Sequence, residues 1–391
     1  MTIMPWKEYT MEKSRMEFIQ EALTCEKSFK EICQDYGISR KTGYKWVDRY
    51  KSGEDLTNLS TRPLKSPNKI SPEMEDLIKS IRKKHPYWGA KKLRKILENQ
   101  GYTNLPSVTT FSNVIKRNGQ ITQEESQKHT AYKRFEKEAP NIMWQMDFKG
   151  EVKEKERGQY VYPLTIKDDK SRYCIEVKAC RNQKFETVKA ALIQCFREYG
   201  MPKIILSDNG KPWGDSKLDV VTKMDIWLID LGIQPIHIRS KHPQSQGKVE
   251  SLNKALKKEL LNRVEIESFE HAQQLFDAWK EQYNNVRPHE ALNFDTPAMK
   301  YTKSSIKYKE TLDEYQYPDN VLVKKVNHIG HVEINKRLHF LGEALKEKYV
   351  GFVKSPSFRN ITYILYHEYI IATYDSDNNE ITKIKLKKEI K

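Results

Sequence analysis

The spacing of apolar residues changes along the chain and divides it into regions. Up to about residue 119 apolar residues recur at helical spacing, as in Met16, Ile19 and Leu23. Two stretches interrupt this pattern, one rich in Ser, Asn, Gly and Pro and one charged and nearly free of aliphatic residues, and both are typical of linkers. The pattern predicts all-α modules at 11–52 and 72–119, with linkers at 53–71 and 120–140.

Beyond the second linker, short strand-like runs appear. Three come first, then runs that alternate with helical segments; strands are predicted at 142–148, 160–166, 172–179, 203–206 and 235–238, and helices at 184–199 and 217–231. Short polar turns join the first three strands, which predicts an antiparallel meander, and helices separate the later strands, which predicts parallel pairing. We expect an α/β core with a mixed sheet over 141–300, followed by a small β-barrel-like domain over 315–388.

The first helical module contains a helix-turn-helix pattern. In FKEICQDYGISRKTGYKWVDRYKSG, Gly37 suits the left-handed turn that ends one helix and Ser39 suits the cap of the next. Trp46, Val47 and Tyr50 share one face of that second helix. The opposite face offers candidate DNA contacts: Arg40, Lys41, Thr42, Tyr44 and Lys45. A plain helical hairpin with a solvated basic face explains this segment about as well.

The second module repeats a three-helix pattern, with Ser107 as a cap and Gly119 as a stop. Two modules joined by a linker would spread a DNA contact over two sites. Within the second module, HPYWGAKKL (85–93) places Tyr87 and Trp88 beside lysines, and the simpler interpretation is that both aromatic residues are core and the lysines are surface.

Charge and cysteine content narrow the class of protein. With 69 Lys and Arg against 53 Asp and Glu, the net charge is +16, which favours a polyanionic partner. Five cysteines, without a Cys-x-x-Cys pair, predict neither a disulfide framework nor a cysteine zinc site and fit a reducing cytosol. Since no long apolar run is present, we expect no signal peptide, no membrane span and a cytoplasmic protein associated with a prokaryotic nucleoid.

Three acidic residues stand where a strand or helix would place them in a cleft. Asp147 interrupts the apolar strand IMWQMDF, and Asp208 ends the strand KIIL, at the edge where α/β proteins bind ligands. Glu250 begins a helix, about 100° from the apolar stripe that starts at Val249, on a shoulder shared with Asn253 and three lysines, Lys254, Lys257 and Lys258. An acid there can meet a metal ion while the lysines meet phosphates. The alternative for Glu250 alone is a first-turn acid that stabilises the helix dipole.

Three carboxylates can hold two divalent ions, one activating a nucleophilic oxygen and one stabilising the departing 3′ oxygen at phosphorus. Oxygen ligands favour Mg²⁺ or Mn²⁺. No Walker loop, Gly-x-Ser-x-Gly or His-Glu-x-x-His motif offers a competing chemistry.

Four blocks of the sequence resemble a known family: WQMDFKG (144–150), SDNG (207–210), HPQSQGKVES (242–251) and YNNVRPHEALN (283–293). They are similar, in order, to the signature blocks of DDE insertion-sequence transposases, which share the RNase H-like catalytic core of retroviral integrases. The resemblance implies that Asp147, Asp208 and Glu250 are the catalytic triad that binds two Mg²⁺ or Mn²⁺ ions. It also implies that the helical modules recognise terminal inverted repeats. Gln244 stands at the commonest family spacing and cannot replace a carboxylate, so Glu250 is assigned from its HPQSQGKVE context.

The same blocks contain residues with supporting roles. Lys248, His242 and Gln246 are candidates for contacts with DNA near the cleavage point, and Asn209 and Gly210 turn the chain after Asp208. Arg287 and His289 follow a helix and are candidate phosphate ligands; alternatively, this block is a structural clasp with Arg287 paired to a carboxylate and Tyr283 and Leu292 packed.

The resulting hypothesis is a DNA transposase that cleaves the ends of an element to free 3′ hydroxyls and joins them to target DNA. Its partners would be double-stranded DNA, as terminal repeats and target, and further copies of the chain, with no membrane. Two alternatives remain at this point: a helix-turn-helix DNA-binding regulator or decoy with an inactive core, and an RNase H-like nuclease without strand transfer.

Overall fold

The fold was analysed in a computed structural model, which describes residues 11–24, 26–58, 70–119, 136–208, 210, 213, 221–237 and 247–388. The chain divides into two compact units, Met1–Ile70 and Ser71–Lys391. The boundary falls at the end of the first predicted linker. The finer division into domains stays a prediction.

The first unit contains the predicted helix-turn-helix. Its helices are α1 (Met11–Thr24), α2 (Phe29–Asp35) and α3 (Arg40–Lys51). Gly37 has a φ of +64°, which favours glycine, and the Ser39 hydroxyl accepts the N–H of Thr42 at the start of α3. Residues from all three helices, together with Leu56 beyond α3, form the core; the helical ones are Phe18, Ile19, Ile32, Cys33, Trp46 and Val47.

Gly43 allows α3 to approach the other two helices closely. A Cβ atom at this position would lie 2.7 Å from Cys33 Sγ and 3.0 Å from the rings of Phe18 and Phe29. We expect Gly43→Val to destabilise this unit by about 1–3 kcal/mol because the core has no room for the added methyl groups. Faster amide exchange over residues 11–58 would report the loss. Asp48→Ala, an exposed change on the same helix, should leave exchange there nearly unchanged, and equal exchange in the two variants would contradict the close packing.

The second unit begins with three helices, α4 (Pro72–Lys84), α5 (Ala90–Asn99) and α6 (Val108–Arg117). The predicted cap at Ser107 is confirmed, since its hydroxyl accepts the N–H of Thr110. Trp88 is buried as expected, but Tyr87 is exposed.

A mixed sheet follows, as predicted. Its strands are β1 (Met143–Phe148), β2 (Val152–Lys153), β3 (Tyr160–Asp168), β4 (Cys174–Cys180), β5 (Ile204–Ser207) and β6 (Gln234–His237). The spatial order is β2-β3-β1-β5-β6, with β4 paired to β3. Strands β1, β3 and β4 form an antiparallel meander, and β1, β5 and β6 are parallel.

Helices pack on this sheet and complete the core. They are α7 (Phe185–Tyr199), α8 (Lys223–Asp230), α9 (Gly247–Leu256), α10 (Phe269–Asn285) and the short α11 (Pro297–Lys300). Helix α9 continues into a π-helical turn, Lys257–Leu261. The predicted helix at 217–231 begins only at Lys223, because Thr222 caps it; residues 217–220 lie outside the described ranges.

The last region is all β, as expected. A five-stranded antiparallel sheet has the order β13-β12-β11-β10-β7, and β8 pairs with β9 in a separate hairpin. The strands are β7 (Leu322–Lys325), β8 (His331–Ile334), β9 (Arg337–Phe340), β10 (Tyr349–Lys354), β11 (Ile361–Tyr366), β12 (Tyr369–Asp375) and β13 (Glu380–Lys388).

One helix face in the first unit, that of α3, differs from the prediction at two positions. Tyr50, expected beside Trp46 and Val47, is 42% exposed, and Arg49 is buried in its place, with its guanidinium hydrogen-bonded to the carbonyls of Asp55 and Thr57. The guanidinium satisfies backbone acceptors that periodicity alone does not reveal.

Candidate active site

The parallel pairing of β1 with β5 brings two of the predicted acids together. Gln145 pairs with Leu206, and Asp147 and Asp208 each lie two residues further along their strands. Both acids therefore stand toward the carboxyl edge of neighbouring parallel strands; the sequence predicts this position for Asp208 and places Asp147 only within an apolar strand. Asp208 is further shaped by Gly210, whose N–H donates to Asp208 Oδ1 at 3.0 Å.

Helix α9 packs against β1 and β3 and adds a residue that sequence reasoning placed wrongly. Asn253 was expected on the shoulder that Glu250 shares with the three lysines, but unlike those lysines it is buried. Its side-chain N–H donates to Asp147 Oδ2 at 2.8 Å, and its side-chain oxygen lies 2.9 Å from the Thr165 hydroxyl. Asn253 therefore orients the first carboxylate and ties it to the helix that carries Glu250.

The three acids share one electrostatic neighbourhood. Burial raises the pKa of Asp147 to about 6, with the charges of Asp208 and Glu250 adding to the rise and hydrogen bonds from the Phe148 backbone and Asn253 opposing it. Within the described part of the chain, no ion pair joins a cation to any of the three. Crowded carboxylates without a paired cation favour binding of a divalent ion in charge and ligand type.

The carboxylates are neighbours rather than an assembled metal centre. Among the described residues, no three His, Cys, Asp or Glu side chains lie close enough together to hold a metal ion. The donor set thus fits a divalent cation by its chemistry, while two-ion coordination stays a prediction.

The raised pKa of Asp147 predicts a pH dependence of stability in metal-free protein. Between the ordinary pKa of an aspartate and about 6, the folded state binds the proton and the unfolded state has released it, so stability falls as pH rises. Relative to Asp147→Asn, we expect the wild type to lose about 2–3 kcal/mol from pH 4 to pH 7 in chelator. Amide exchange of β1 measures this loss, and parallel pH profiles for the two proteins would contradict it.

A buried polar network anchors the first turn of α9. Gln145 accepts the N–H of Val249 at 3.2 Å and donates to Asp169 Oδ1 at 2.9 Å. Lys167, whose pKa is lowered by burial and by Arg172, donates to the carbonyl of Lys248 at 3.0 Å. The Lys248 ammonium lies 2.5 Å from Asp169 Oδ1.

This network changes the interpretation of Lys248. The sequence predicts a DNA contact, but the structure places its ammonium in an ion pair with Asp169, whose side chain is 2% exposed. Its role here is to fix the start of the helix. The partner lies 79 residues away in sequence, so no local pattern signals the pair.

A histidine and an aspartate that sequence reasoning missed lie beneath Asp208. His237, at the end of β6, approaches the Asp208 carbonyl (3.3 Å) and the Ser207 hydroxyl (3.1 Å), and its other ring nitrogen lies 2.7 Å from Asp225 Oδ1. Burial would lower the pKa of His237, but Asp225 outweighs it, so the pKa is raised. Asp225 also accepts from the Thr222 N–H and hydroxyl at the cap of α8. The pair ties the end of β5 to β6 and α8.

The YNNVRPHEALN block adopts the clasp arrangement rather than an open phosphate site. Arg287 Nε donates to Glu259 Oε1 at 2.8 Å, and another guanidinium nitrogen lies 3.0 Å from His289 Nε2. His289 is buried, with its pKa lowered by burial and by Arg287, and its ring meets Tyr283 edge to face. Tyr283 and Leu292 are packed.

The remaining candidates stay predictions. Among the proposed DNA contacts of α3, four side chains are exposed and Thr42 is half-buried, with its hydroxyl 2.9 Å from Ser39 Oγ. Lys254, Lys257 and Lys258 are exposed along α9 and its π-helical turn. Asn209, His242 and Gln246 lie outside the described residues.

Comparison with known families agrees with this architecture. Integrase core domain models match residues 137–243 and 231–297, and homeodomain-like domain models match residues 12–57 and 42–115. Among the described residues, no helix is both long and apolar enough to cross a membrane.

Individual relatives come from insertion elements and retroviruses. The insertion element IS407 uncharacterized 31.7 kDa protein of Burkholderia multivorans is 28% identical over 45% of this chain. The match covers 59% of that protein's own length. The transposase for insertion sequence element IS904 of Lactococcus lactis is 26% identical, over 59% of this chain and 95% of the relative. The HTLV-2 integrase catalytic core domain, solved with magnesium, is 16% identical over 42% of this chain and 99% of its own, with a TM-score of 0.32.

Residues 137–297 thus carry an integrase core behind homeodomain-like helices. Insertion-sequence proteins are among its relatives, and the region matched by the integrase core domain models is the one that contains Asp147, Asp208 and Glu250.

Proposed function

We propose that this protein is a DNA transposase that cleaves the ends of its element and joins the freed 3′ hydroxyls to target DNA. The observation that carries the proposal is the set of three carboxylates, Asp147, Asp208 and Glu250, within the region matched by integrase core models. The charges of Asp208 and Glu250 act on Asp147, and no ion pair among the described residues neutralises any of the three.

Asp147, Asp208 and Glu250 would hold Mg²⁺ or Mn²⁺. When bound, two such ions supply positive charge to the attacking and departing oxygens of an in-line displacement at phosphorus. The protein's own residues prepare this site. Asn253 holds the Asp147 carboxylate in a single orientation, and Gln145 and Lys167 fix the first turn of α9.

DNA recognition is assigned to the helical modules and to the basic surface. The exposed Arg40, Lys41, Tyr44 and Lys45 on α3 are proposed to contact terminal repeats, and the lysines beyond Glu250 to follow the phosphates toward the site. Since two DNA ends must be held together before joining, we infer a homo-oligomer on DNA. A net charge of +16 supports an extended phosphate footprint.

A cleavage assay tests the proposal. The substrate is a supercoiled plasmid that carries the DNA flanking the coding region, incubated with protein and Mg²⁺ or with chelator. We expect metal-dependent nicks that leave 3′ hydroxyls at the boundaries of inverted repeats. Tight, repeat-specific binding without any nick would overturn the proposal in favour of the DNA-binding regulator.

A further inference from the structure

The HPYWG segment, which follows α4, reaches the core. Trp88 is 2% exposed, and its indole N–H donates to Glu259 Oε1 at 3.1 Å, across 171 residues of sequence. Two residues hold the ring on the helical side: Arg82 donates to the Trp88 carbonyl at 2.9 Å, and the His85 ring stacks on the indole with 4.0 Å between centroids. Trp88 thus joins the three helices α4–α6 to the integrase core.

The acceptor on the core side occupies an unusual position. Glu259 lies in the π-helical turn that continues α9, nine residues after Glu250, or about 13 Å along a helix at about 1.5 Å per residue. The same Glu259 oxygen accepts from Arg287, and both side chains are nearly buried, at 11% and 13% exposure. One carboxylate therefore connects three elements: the helices α4–α6, the Glu250 helix and the Arg287 clasp. Isolated π turns within α-helices occur frequently at functional positions.

The side chains around this hydrogen bond are buried or half-buried. Lys92 on α5 faces this region, where burial and the charge of Arg287 lower its pKa to about 8. His85 lies 3.4 Å from the Gln282 side chain, and the Lys91–Glu290 pair (3.5 Å) forms the exposed rim. A hydrogen bond to a carboxylate is stronger than one between neutral groups, so removal of the indole donor should weaken this contact measurably.

We propose that Glu259 is a positioning residue that couples the helices α4–α6 to the catalytic helix, so that docking of Trp88 orders the helix that carries Glu250. Loss of the indole N–H would leave Arg287 as the hydrogen-bond donor to the Glu259 carboxylate among the described residues, and the helix end would open more often. Glu250 would then occupy its productive position for a smaller fraction of the time. The catalytic part of this inference rests on the proposed function.

The test compares Trp88→Phe with Tyr87→Phe. The first change removes the N–H donor and keeps an aromatic ring over His85; the second alters the neighbouring exposed ring. In free protein we expect amides of 247–261 to exchange at least about 5-fold faster in Trp88→Phe, as loss of about 1 kcal/mol of local stability implies, and unchanged in Tyr87→Phe. Equal exchange in the two variants would overturn the coupling.

Cleavage of the plasmid substrate supplies the second readout. Trp88→Phe should lower kcat by up to about 5-fold, the factor by which exchange rises, with an unchanged KM for DNA. Because Trp88 acts through Glu259, the Trp88→Phe/Glu259→Gln double variant should be no slower than the slower single variant. Additive losses, or wild-type kcat despite faster exchange, would overturn the positioning role. If the wild type never cleaves the plasmid but exchange is still faster in Trp88→Phe than in Tyr87→Phe, the proposed function is overturned and the coupling is supported.

Discussion

Replacing Asp208 by Asn is expected to abolish Mg²⁺-dependent DNA cleavage, with a rate loss of at least about a thousandfold. An amide keeps the size of the side chain and its hydrogen bond from Gly210 but removes the charge that a divalent ion requires. A loss of about 4 kcal/mol of transition-state stabilisation corresponds to that factor. DNA affinity should stay the same or rise slightly, since one negative charge has left a surface that meets phosphates.

The matched control is Asp319→Asn, an identical change at an exposed position between the core and the β domain. It should cleave at the wild-type rate. Cleavage by Asp208→Asn at a rate within tenfold of the control would remove Asp208 from the site and, with it, the carboxylate triad.

Replacing Asn253 by Ala should lower cleavage about 10- to 100-fold at neutral pH. The variant loses the amide donor that holds Asp147 and lowers its pKa, so the carboxylate becomes both less oriented and more readily protonated. A hydrogen bond to a charged group contributes about 1.5–3 kcal/mol, which gives this range. Because the protonation part of the defect is removed at high pH, raising the pH from 7 to 8.5 should recover part of the rate.

Asn378→Ala, at an exposed turn of the β domain, controls for a generic amide loss. A uniform defect at every pH would show that Asn253 does not act through the pKa of Asp147, and wild-type cleavage would exclude any role for it in the site. Thermal unfolding of both variants separates either outcome from global destabilisation.

Local periodicity predicted most of the elements. Alternation in IMWQMDF identified β1 and placed Asp147 away from the Trp144 face, and helical phase identified the buried stripe of α9 from Val249 onward. These signals work because each depends only on neighbouring residues and on which face is apolar. The order of strands and helices then followed from short turns and crossover helices.

Contacts between distant elements were not predictable in this way. Helical phase predicted that Asn253 shares a shoulder of α9 with Lys254. In the structure Asn253 is buried between Thr165 on β3 and Asp147, with a hydrogen bond to each side chain. The sequence around Lys248 predicts a DNA contact, and only the structure shows its ion pair with Asp169. The sequence around His237 does not indicate that Asp225 contacts its ring. The contacts of each of these side chains depend on tertiary partners that lie far away in sequence or on a separate element.

The recognition surface remains a prediction for a related reason. Exposure of Lys41 and Lys45 agrees with a DNA contact and equally with a solvated helix face. Trp88, by contrast, was interpreted as a core residue from the sequence, and the structure adds that its partner is Glu259, an acid in the π-helical turn that continues α9.

Strand joining tests the central claim most directly. A duplex with a labelled, pre-cleaved 3′ end, taken from the element's boundary, is incubated with the protein, Mg²⁺ and an unrelated target plasmid. The account predicts label covalently joined to the plasmid through the 3′ hydroxyl, with no joined product in chelator or with Asp208→Asn. Metal-dependent cutting of DNA that never yields a joined product would contradict it and identify a nuclease of the same fold.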